Sequence, residues 1–308
     1  MSGLGLTFLR RGNLAHPIAG SDYILSETRG DAEVFRILMS KGVSSDGVGI
    51  TREDAEKVTS IGTWFKGNTT ITSFNELIYF TSVTKLDNGA FQGCTALQSI
   101  DLGNISSIGS NAFYQSGLVD VRSVGAITTT GSQAFQECTS LAFFPFSTSI
   151  TSVPYRSFYR CRSLVGDVYI PNATTIGNGS FSESAIRSLN APKATIIEGA
   201  ACSSCTQLEN INIIGATQIK DQTFNDCTSL KYVELGENLT SLGWRAFNGC
   251  SALEYVICRA ITPPTINAQV FATSCPIYVP DASVDAYKAA SNWSGYASRI
   301  KPLSEYQG

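Results

Sequence analysis

The sequence predicts a repeat solenoid, and three observations support this prediction. An aromatic residue returns every 21–24 residues, a cysteine follows it by three positions in most units, and an aliphatic residue follows the cysteine by about three more. The aromatic positions are Phe91, Phe113, Phe135, Phe158, Phe181, Phe224, Phe247 and Phe271, with Cys202 in the remaining place. A period of 20–29 residues with regular leucines is typical of stacked repeats that share one core.

Each unit carries the pattern of a short strand. The stretch NGAFQGCTALQSIDLG, which begins at Asn88, ends its apolar series with Ile100 and Leu102, two positions apart. A period of two is typical of a strand with one buried face. We therefore expect a leucine-rich repeat solenoid of about nine units of 21–24 residues, with one short strand per unit. A second aliphatic pair, such as Ile105 with Ile108, is expected to line the same core.

The repeated cysteines are expected to form a column of buried thiols. Free cysteine behaves as a small buried hydrophobic residue, and stacking places equivalent residues about 4.8 Å apart. Disulfides or a metal site are the alternative for the nine cysteines. Cys202 and Cys205 form a C-x-x-C pair, but both lie at repeat positions, and no second pair or nearby histidine completes a metal site. We predict neither a metal site nor a cofactor.

The ends of a solenoid need caps, because the terminal units would otherwise expose their apolar faces. Thr51 and Asp54 form a variant of the capping box and predict a helix near residues 52–58. Asp281 is the expected N-cap of a helix that reaches about Ala290. The predicted organisation is an N-terminal arm or anchor at 1–40, a small helical N-terminal cap at 41–82, the solenoid at 83–275 and a strand–helix C-terminal cap at 276–308.

Composition argues against several classes of function. The net charge is −3, and no basic block that would favour nucleic acid is present. No apolar run reaches about 18 residues, so membrane insertion is not expected. Arg10 and Arg11 follow a short apolar stretch instead of preceding it, and no signal peptide is predicted. The single histidine, His16, lies in the predicted arm, and no catalytic motif accompanies it. We do not expect an enzyme.

Aromatic residues at outward strand positions are the first candidates for binding. Counting from the aliphatic residue of each unit places Phe143, Tyr169, Tyr232 and Tyr255 on the exposed face of the strands. Exposed aromatic patches often mark recognition surfaces. The alternative is that these residues only stabilise the sheet as cross-strand pairs.

A second candidate lies in the stretch PYRSFYRCRS. Phe158 and Cys161 are core residues by register, so the flanking side chains point elsewhere. Arginine beside tyrosine could meet an anionic glycan or an acidic protein. A solvated surface is the alternative. The candidate binding residues here are Tyr155, Arg156, Tyr159 and Arg160.

The motifs NGAFQGCTALQSIDL and RAFNGCSALEYVI resemble the BspA-type, or Treponema-type, leucine-rich repeat over about residues 83–275. The tail resembles the closing segment of such proteins from gut Bacteroidales and their phages, and implies that Trp293 and Tyr296 cover the last repeat. The resemblance implies adhesion to a host cell-surface protein or polysaccharide.

Bacterial surface proteins of this type normally carry an export signal, and none is predicted in this chain. We therefore expect a protein of the virion surface whose residues 1–40 attach it to other virion proteins. A bacterial cell-surface adhesin and a purely structural virion connector are the alternatives, and a homo-oligomer is possible in each case.

Overall fold

A computed structural model describes residues 22–267, 269–271 and 274–307. The α-helices are α1 Ala32–Ser40, α2 Arg52–Glu56 and α3 Val284–Ala289. In chain order the strands are β1 Tyr23–Leu25, β2 Ile50–Thr51, β3 Ser73–Phe74, β4 Lys85–Leu86, β5 Ser99–Leu102, β6 Ser107–Ile108, β7 Asp120–Val124, β8 Thr129–Thr130, β9 Ser152–Val153, β10 Gly166–Tyr169, β11 Thr175–Ile176, β12 Ile186–Asn190, β13 Ile196–Ile197, β14 Asn210–Asn212, β15 Gln218–Ile219, β16 Tyr232–Leu235, β17 Ser241–Leu242, β18 Tyr255–Cys258, β19 Thr265–Ile266, β20 Ile277–Val279 and β21 Ile300–Pro302.

The predicted leucine-rich repeat solenoid is confirmed, with about ten turns. A nine-stranded parallel sheet of two-residue strands runs along one side in the order β19-β17-β15-β13-β11-β9-β8-β6-β4. The longer strands form three parallel sheets on the other side, in the orders β3-β5-β7, β10-β12-β14 and β16-β18-β20-β21. We call the outward surface of these longer strands the long-strand face.

Most units therefore contain two strands, where the sequence predicted one. The second strand forms because the last residue of the second aliphatic pair alternates with a polar residue before it. Ile108 and Leu242 point into the core, while Ser107 and Ser241 beside them are half-exposed. Two residues suffice for a strand here, because each lies between equivalent residues of two neighbouring units.

Stacked phenylalanine rings form the centre of the core. Ring centroids of Phe91 and Phe113 are 5.3 Å apart, and those of Phe113 and Phe135 are 5.1 Å apart, with nearly parallel planes in both pairs. Phe65 stacks on Phe91 at 5.3 Å and so begins the column, inside the segment that was predicted to be the cap. This extra turn accounts for the difference between nine predicted units and about ten observed turns.

The predicted column of buried thiols is also present. None of the nine cysteines forms a disulfide, and all nine are buried. The repeat cysteines donate a hydrogen bond from Sγ to a main-chain carbonyl of the preceding unit, as in Cys94 to Phe65 at 3.0 Å and Cys250 to Phe224 at 3.2 Å. Cys205 makes the same bond to Phe181, which places the C-x-x-C pair in the core as expected.

Left-handed backbone conformations recur on both sides of each aromatic residue. The residues two positions before and after it have positive φ, in most units without being glycine; they are Asn111, Gln115, Gln133, Glu137, Arg156, Arg160, Glu183, Ala200, Ser204, Gln222, Asp226, Arg245 and Gln269. Such conformations are unfavourable for residues with a Cβ. Here they turn main-chain N–H groups toward the next unit, where Ala200 donates to Asp221 O at 2.9 Å and Gln222 donates to Trp244 O at 2.7 Å.

The N-terminal cap is larger than predicted, because residues 22–40 belong to it. Strand β1 pairs antiparallel with β2, and α1 buries Val34, Phe35, Ile37 and Leu38. Asp31 caps α1 and also accepts a hydrogen bond from Thr72 N at 2.7 Å, which ties the cap to the solenoid. Residues 1–21 of the predicted arm, including His16, lie outside the described residues. The capping box of Thr51 and Asp54 is present, and α2 ends at Glu56.

The C-terminal cap covers the last repeat, as the resemblance of the tail to other closing segments implied. Trp293 is fully buried and donates from Nε1 to Pro264 O at 2.7 Å, and Tyr296 meets the ring of Phe271 edge-on at 5.8 Å. The prediction for Asp281 was wrong. Its carboxylate accepts a hydrogen bond from Ser304 N in the tail, and α3 begins later, at Val284. No helix in the described residues is both long and apolar enough to cross a membrane.

Candidate binding surface

Strand pairing along the long-strand face places equivalent residues of neighbouring units opposite one another. Ser99 lies opposite Asp120, Asp167 opposite Ser188, and Tyr232 opposite Tyr255. The register between β10 and β12 shifts by one after Gly166, whose φ is +117°, because Gly166 pairs with Ile186 and Asp167 with Ser188, and the pairing passes over Arg187. Ile257, two residues after Tyr255 in β18, is only 5 % exposed.

Tyr232 and Tyr255 form part of a larger aromatic group near the C-terminal end of this face. Their rings stack with centroids 5.6 Å apart. Tyr306 meets Tyr255 at 5.0 Å and also contacts the ring of Tyr278 at 5.2 Å. We call these four residues the tyrosine cluster. Tyr232 is 36 % exposed and the other three are half-buried, so the cluster reaches solvent.

Sequence reasoning missed Tyr278 and Tyr306. Tyr278 could have been found, because it lies one residue after Ile277 in the next parallel strand and pairs with Ile257. Tyr306 lies beyond the repeat, and no spacing points to it. A hydrogen bond with Tyr306, together with partial burial, raises the pKa of Tyr255 to about 12. The phenol group of Tyr255 is therefore linked to that of Tyr306 and is neutral at physiological pH.

Phe143 and Tyr169 lie apart from the tyrosine cluster, several units earlier. Phe143 is 56 % exposed and Tyr169 is 52 % exposed. Val119 and Val165 are also exposed, and each is joined by a main-chain hydrogen bond to Ala142, the neighbour of Phe143. The four predicted aromatic residues thus divide into two patches.

The sheet is interrupted at Phe143, which forms only an isolated bridge to Asp120. Two features of this unit explain the interruption. Pro145 lacks a main-chain donor, and the bulky Phe144 and Phe146 occupy core positions and contact the ring of Phe158. The interruption leaves the Phe143 side chain on an irregular part of the face.

The second candidate group lies on the turn that carries Phe158. The guanidinium carbon of Arg156 lies 5.0 Å from the ring centroid of Tyr155 and 4.8 Å from that of Tyr159. Arg160 lies 4.9 Å from the same Tyr159 ring. Tyr155 is exposed, whereas Arg156, Tyr159 and Arg160 are half-buried. The structure therefore brings the four predicted residues together.

Glu183, which sequence reasoning did not include, joins this group from the next unit. It accepts hydrogen bonds from Arg160 Nε at 3.1 Å, Arg162 Nη2 at 2.8 Å and Tyr159 Oη at 3.0 Å. Although partial burial opposes the shift, these bonds lower the pKa of Glu183 overall. We call Tyr155, Arg156, Tyr159, Arg160, Arg162 and Glu183 the arginine–tyrosine cluster.

Three of the repeat thiols offer little reactivity. Burial raises the pKa of Cys94, Cys138 and Cys250 to about 12, so almost none of these thiols is ionised at neutral pH. Within the described parts of the chain, no group of three or more His, Cys, Asp and Glu side chains could hold a metal ion.

Several solved structures resemble the chain. A leucine rich repeat protein of T. pallidum is 26 % identical, with a TM-score of 0.41, over 56 % of this chain and 72 % of its own. A leucine rich cell surface protein from Faecalibacterium prausnitzii is 19 % identical, with a TM-score of 0.38, over 73 % and 84 %. A leucine-rich repeat protein from Bacteroides ovatus is 18 % identical, with a TM-score of 0.40, over 79 % and 85 %. No curated protein matches the chain.

The family assignment rests on a family profile instead, since these TM-scores are all below 0.5. The profile described as the BspA type leucine rich repeat region matches residues 63–184 and 165–277, which is more than half of the chain. The matched residues contain the stacked rings, the column of thiols and both sets of parallel strands. The chain belongs to the BspA-type leucine-rich repeat family.

Proposed function

We propose that this protein is a non-enzymatic recognition and adhesion protein that binds a protein or polysaccharide surface through its long-strand face. The observation that carries the proposal is the tyrosine cluster, in which four phenol rings are in continuous contact on an outward surface. Tyrosine supplies a large contact area at a low cost in conformational entropy, and its hydroxyl group adds a hydrogen bond.

Charged groups border the tyrosine cluster. Lys231, next to Tyr232 in the chain, pairs with Glu209 of the preceding unit at 2.8 Å. Glu234, which lies on the same face of β16 as Tyr232, pairs with Arg259. An aromatic centre with a polar border is the usual composition of a binding interface. The stacked pair also stabilises the sheet, and this role is compatible with binding, because the rings retain exposed surface.

For the cellular location we propose the bacterial cell surface, which fits the adhesion role that the family resemblance implies. The virion location remains a prediction. Residues 22–40 of the segment expected to attach to a virion are packed into the N-terminal cap. Homo-oligomerisation also stays a prediction.

The test is binding of the purified chain to intact gut Bacteroidales cells, to host epithelial cells and to a panel of their surface polysaccharides. The double variant Tyr232→Ala/Tyr255→Ala should lose at least tenfold in affinity. Trp244→Ala is the matched control, because Trp244 is an aromatic residue of similar exposure, 38 %, on a turn away from this face. Melting curves check that both variants are folded.

Equal binding by wild type and the double variant would show that recognition does not use the tyrosine cluster. Absence of binding to every cell and polysaccharide would favour the structural connector role. If Trp244→Ala weakened binding as much as the double variant did, the site would lie on the turns and the proposal would be wrong.

A further inference from the structure

We infer that the arginine–tyrosine cluster is a binding site for acidic polysaccharide, with the guanidinium groups receiving carboxylate or sulfate groups. This site is separate from the tyrosine cluster. It lies on the turns that carry the aromatic core column, whereas the tyrosine cluster lies on the strands and the C-terminal tail.

The first argument is charge. Arg156, Arg160 and Arg162 lie within seven residues of a chain whose net charge is −3. Glu183 binds Arg160 and Arg162 with its single carboxylate. Arg156 has no carboxylate partner among the described residues, and its contacts are with tyrosine rings. An oxyanion would therefore complete the site.

The second argument is that Arg156 is held in place before any ligand arrives. Its guanidinium group contacts the rings of Tyr155 and Tyr159, a favourable arrangement for a cation. Gly179 of the next unit leaves room for the side chain, because a Cβ there would lie 3.3 Å from Arg156 Cγ. A planar guanidinium in a fixed position suits the two oxygens of a carboxylate or sulfate.

The third argument is the adjoining groove, which has a volume of about 320 Å³. It is lined by Arg162 and Glu183 together with the polar residues Ser204, Thr206 and Gln207. This volume is at the lower end of the range for ligand pockets. Hydroxyl and amide groups beside guanidinium and tyrosine rings match the alternating hydroxyl, anionic and C–H surfaces of an acidic sugar. Polyglutamate would bring carboxylates to the arginines but no sugar hydroxyl groups to the rest of the groove.

The test measures affinity of the whole chain for polygalacturonate, a carboxylated polymer, and for dextran sulfate, with neutral dextran and polyglutamate as comparisons. We expect binding to at least one of the two acidic polysaccharides, stronger than to polyglutamate, and none to neutral dextran. The preferred polymer tells whether the site favours carboxylate or sulfate. Tighter binding to polyglutamate, or no binding to either acidic polysaccharide, would overturn the inference.

Two variants of opposite effect locate the site. Arg156→Gln should weaken binding about tenfold, and Glu183→Gln should strengthen it severalfold by releasing Arg160 and Arg162. Both changes suit the backbone, because Gln133 and Gln222 occupy the position equivalent to Arg156, and Gln115 occupies that of Glu183, all with positive φ. Arg187→Gln is the control, since it removes the same charge from an exposed position on β12 and should change affinity less than twofold.

Equal losses of affinity in Arg156→Gln and Arg187→Gln would show only a general electrostatic attraction. Weaker binding by Glu183→Gln would show that Arg160 and Arg162 do not bind the polysaccharide. Either result overturns the inference. The Tyr232→Ala/Tyr255→Ala variant should retain full affinity for the acidic polymer. The two sites are therefore tested independently, and either the proposed function or this inference can be wrong while the other holds.

Discussion

The thiol of Cys138 donates a hydrogen bond to the main-chain carbonyl oxygen of Phe113, one unit earlier in the stack, over 2.9 Å. The same bond recurs from Cys161 to Phe135 at 3.1 Å. Each of these carbonyl groups also accepts a main-chain N–H, from Ser116 at 2.9 Å for Phe113 and from Cys138 at 3.1 Å for Phe135, so the thiol supplies a second hydrogen bond. The cysteine therefore fills a small space and also donates a hydrogen bond to the main chain of the preceding unit, which an aliphatic residue could not do.

Replacement of this thiol should show both contributions. Cys138→Ala should lower the free energy of unfolding by about 1–2 kcal/mol, because it removes one buried hydrogen bond and leaves a small cavity in place of the sulfur atom. Cys138→Ser should cost less, since the hydroxyl group can donate in its place. Urea unfolding measures both, and Thr139→Ala, at an exposed neighbouring position, is the control. Equal losses for alanine and serine would mean that the hydrogen bond contributes nothing measurable.

Burial of the thiols predicts a loss of stability in alkaline solution. The pKa of Cys94, Cys138 and Cys250 is about 12 in the folded chain, against an ordinary value of 9.0. Above pH 9 the unfolded chain therefore binds fewer protons than the folded one, and stability falls as pH rises from about 9 to about 12. We expect the decline in unfolding free energy between pH 8 and 11 to be shallower for Cys138→Ser than for wild type.

Thiol labelling gives an independent check of the same burial. At pH 8 an uncharged thiol reagent should modify none of the nine cysteines within minutes, and all nine in denaturant. Rapid labelling of a repeat cysteine in the native protein would contradict the buried column.

The left-handed positions predict a stabilising substitution. Ala200 has a φ of +52°, which is unfavourable for any residue with a Cβ. Ala200→Gly should raise the free energy of unfolding by up to about 1 kcal/mol, after the greater entropy of glycine in the unfolded chain is subtracted. Ala201→Gly should instead be destabilising, because Ala201 is buried and lacks a positive φ. The measurement is chemical unfolding of both variants, and a loss of stability in Ala200→Gly would contradict the explanation.

The C-terminal cap should control stability from its own end of the stack. Trp293→Ala removes ring contacts with Phe271 and Tyr287 and the bond to Pro264 O, and should cost about 3–5 kcal/mol locally. Because each unit contacts only its neighbours, the loss should be greatest near β18 and β20. Hydrogen exchange should show faster exchange there and little change at β5 and β6. Uniform acceleration along the chain would mean that the solenoid unfolds as one unit.

The repeat could be predicted because the stacking distance and the sequence period have one cause. Every unit places its aromatic residue, cysteine and leucine against the same neighbours, so their spacing recurs in the sequence, as in Phe91, Cys94 and Leu97. The segment before the repeat was harder. Asp31 followed by Val34, Phe35 and Leu38 is a recognisable helix start, and this signal for a larger N-terminal cap was missed.

The candidate sites were only partly predictable for a physical reason. Register gives the face of a residue but not the distance between residues in different units, so Phe143 and Tyr232 could be placed on one face without being close. Residues outside the repeat that contact it, such as Tyr306 with Tyr255, do not recur at the repeat spacing and so cannot be found from it. Glu183 was missed because its role depends on a partner 23 residues earlier, Arg160.

Around each aromatic residue, main-chain N–H groups of one unit bond to carbonyl groups of the next unit. This pattern affects how such chains can gain or lose whole units. Gly89, Phe91 and Gly93 donate main-chain N–H groups to Ser110, Ala112 and Tyr114 of the next unit, and these bonds do not depend on side-chain identity. Duplication or deletion of one whole unit by recombination would therefore join donors to matching acceptors at the new junction. The solenoid can be lengthened or shortened in steps of one turn, and its two caps need no change.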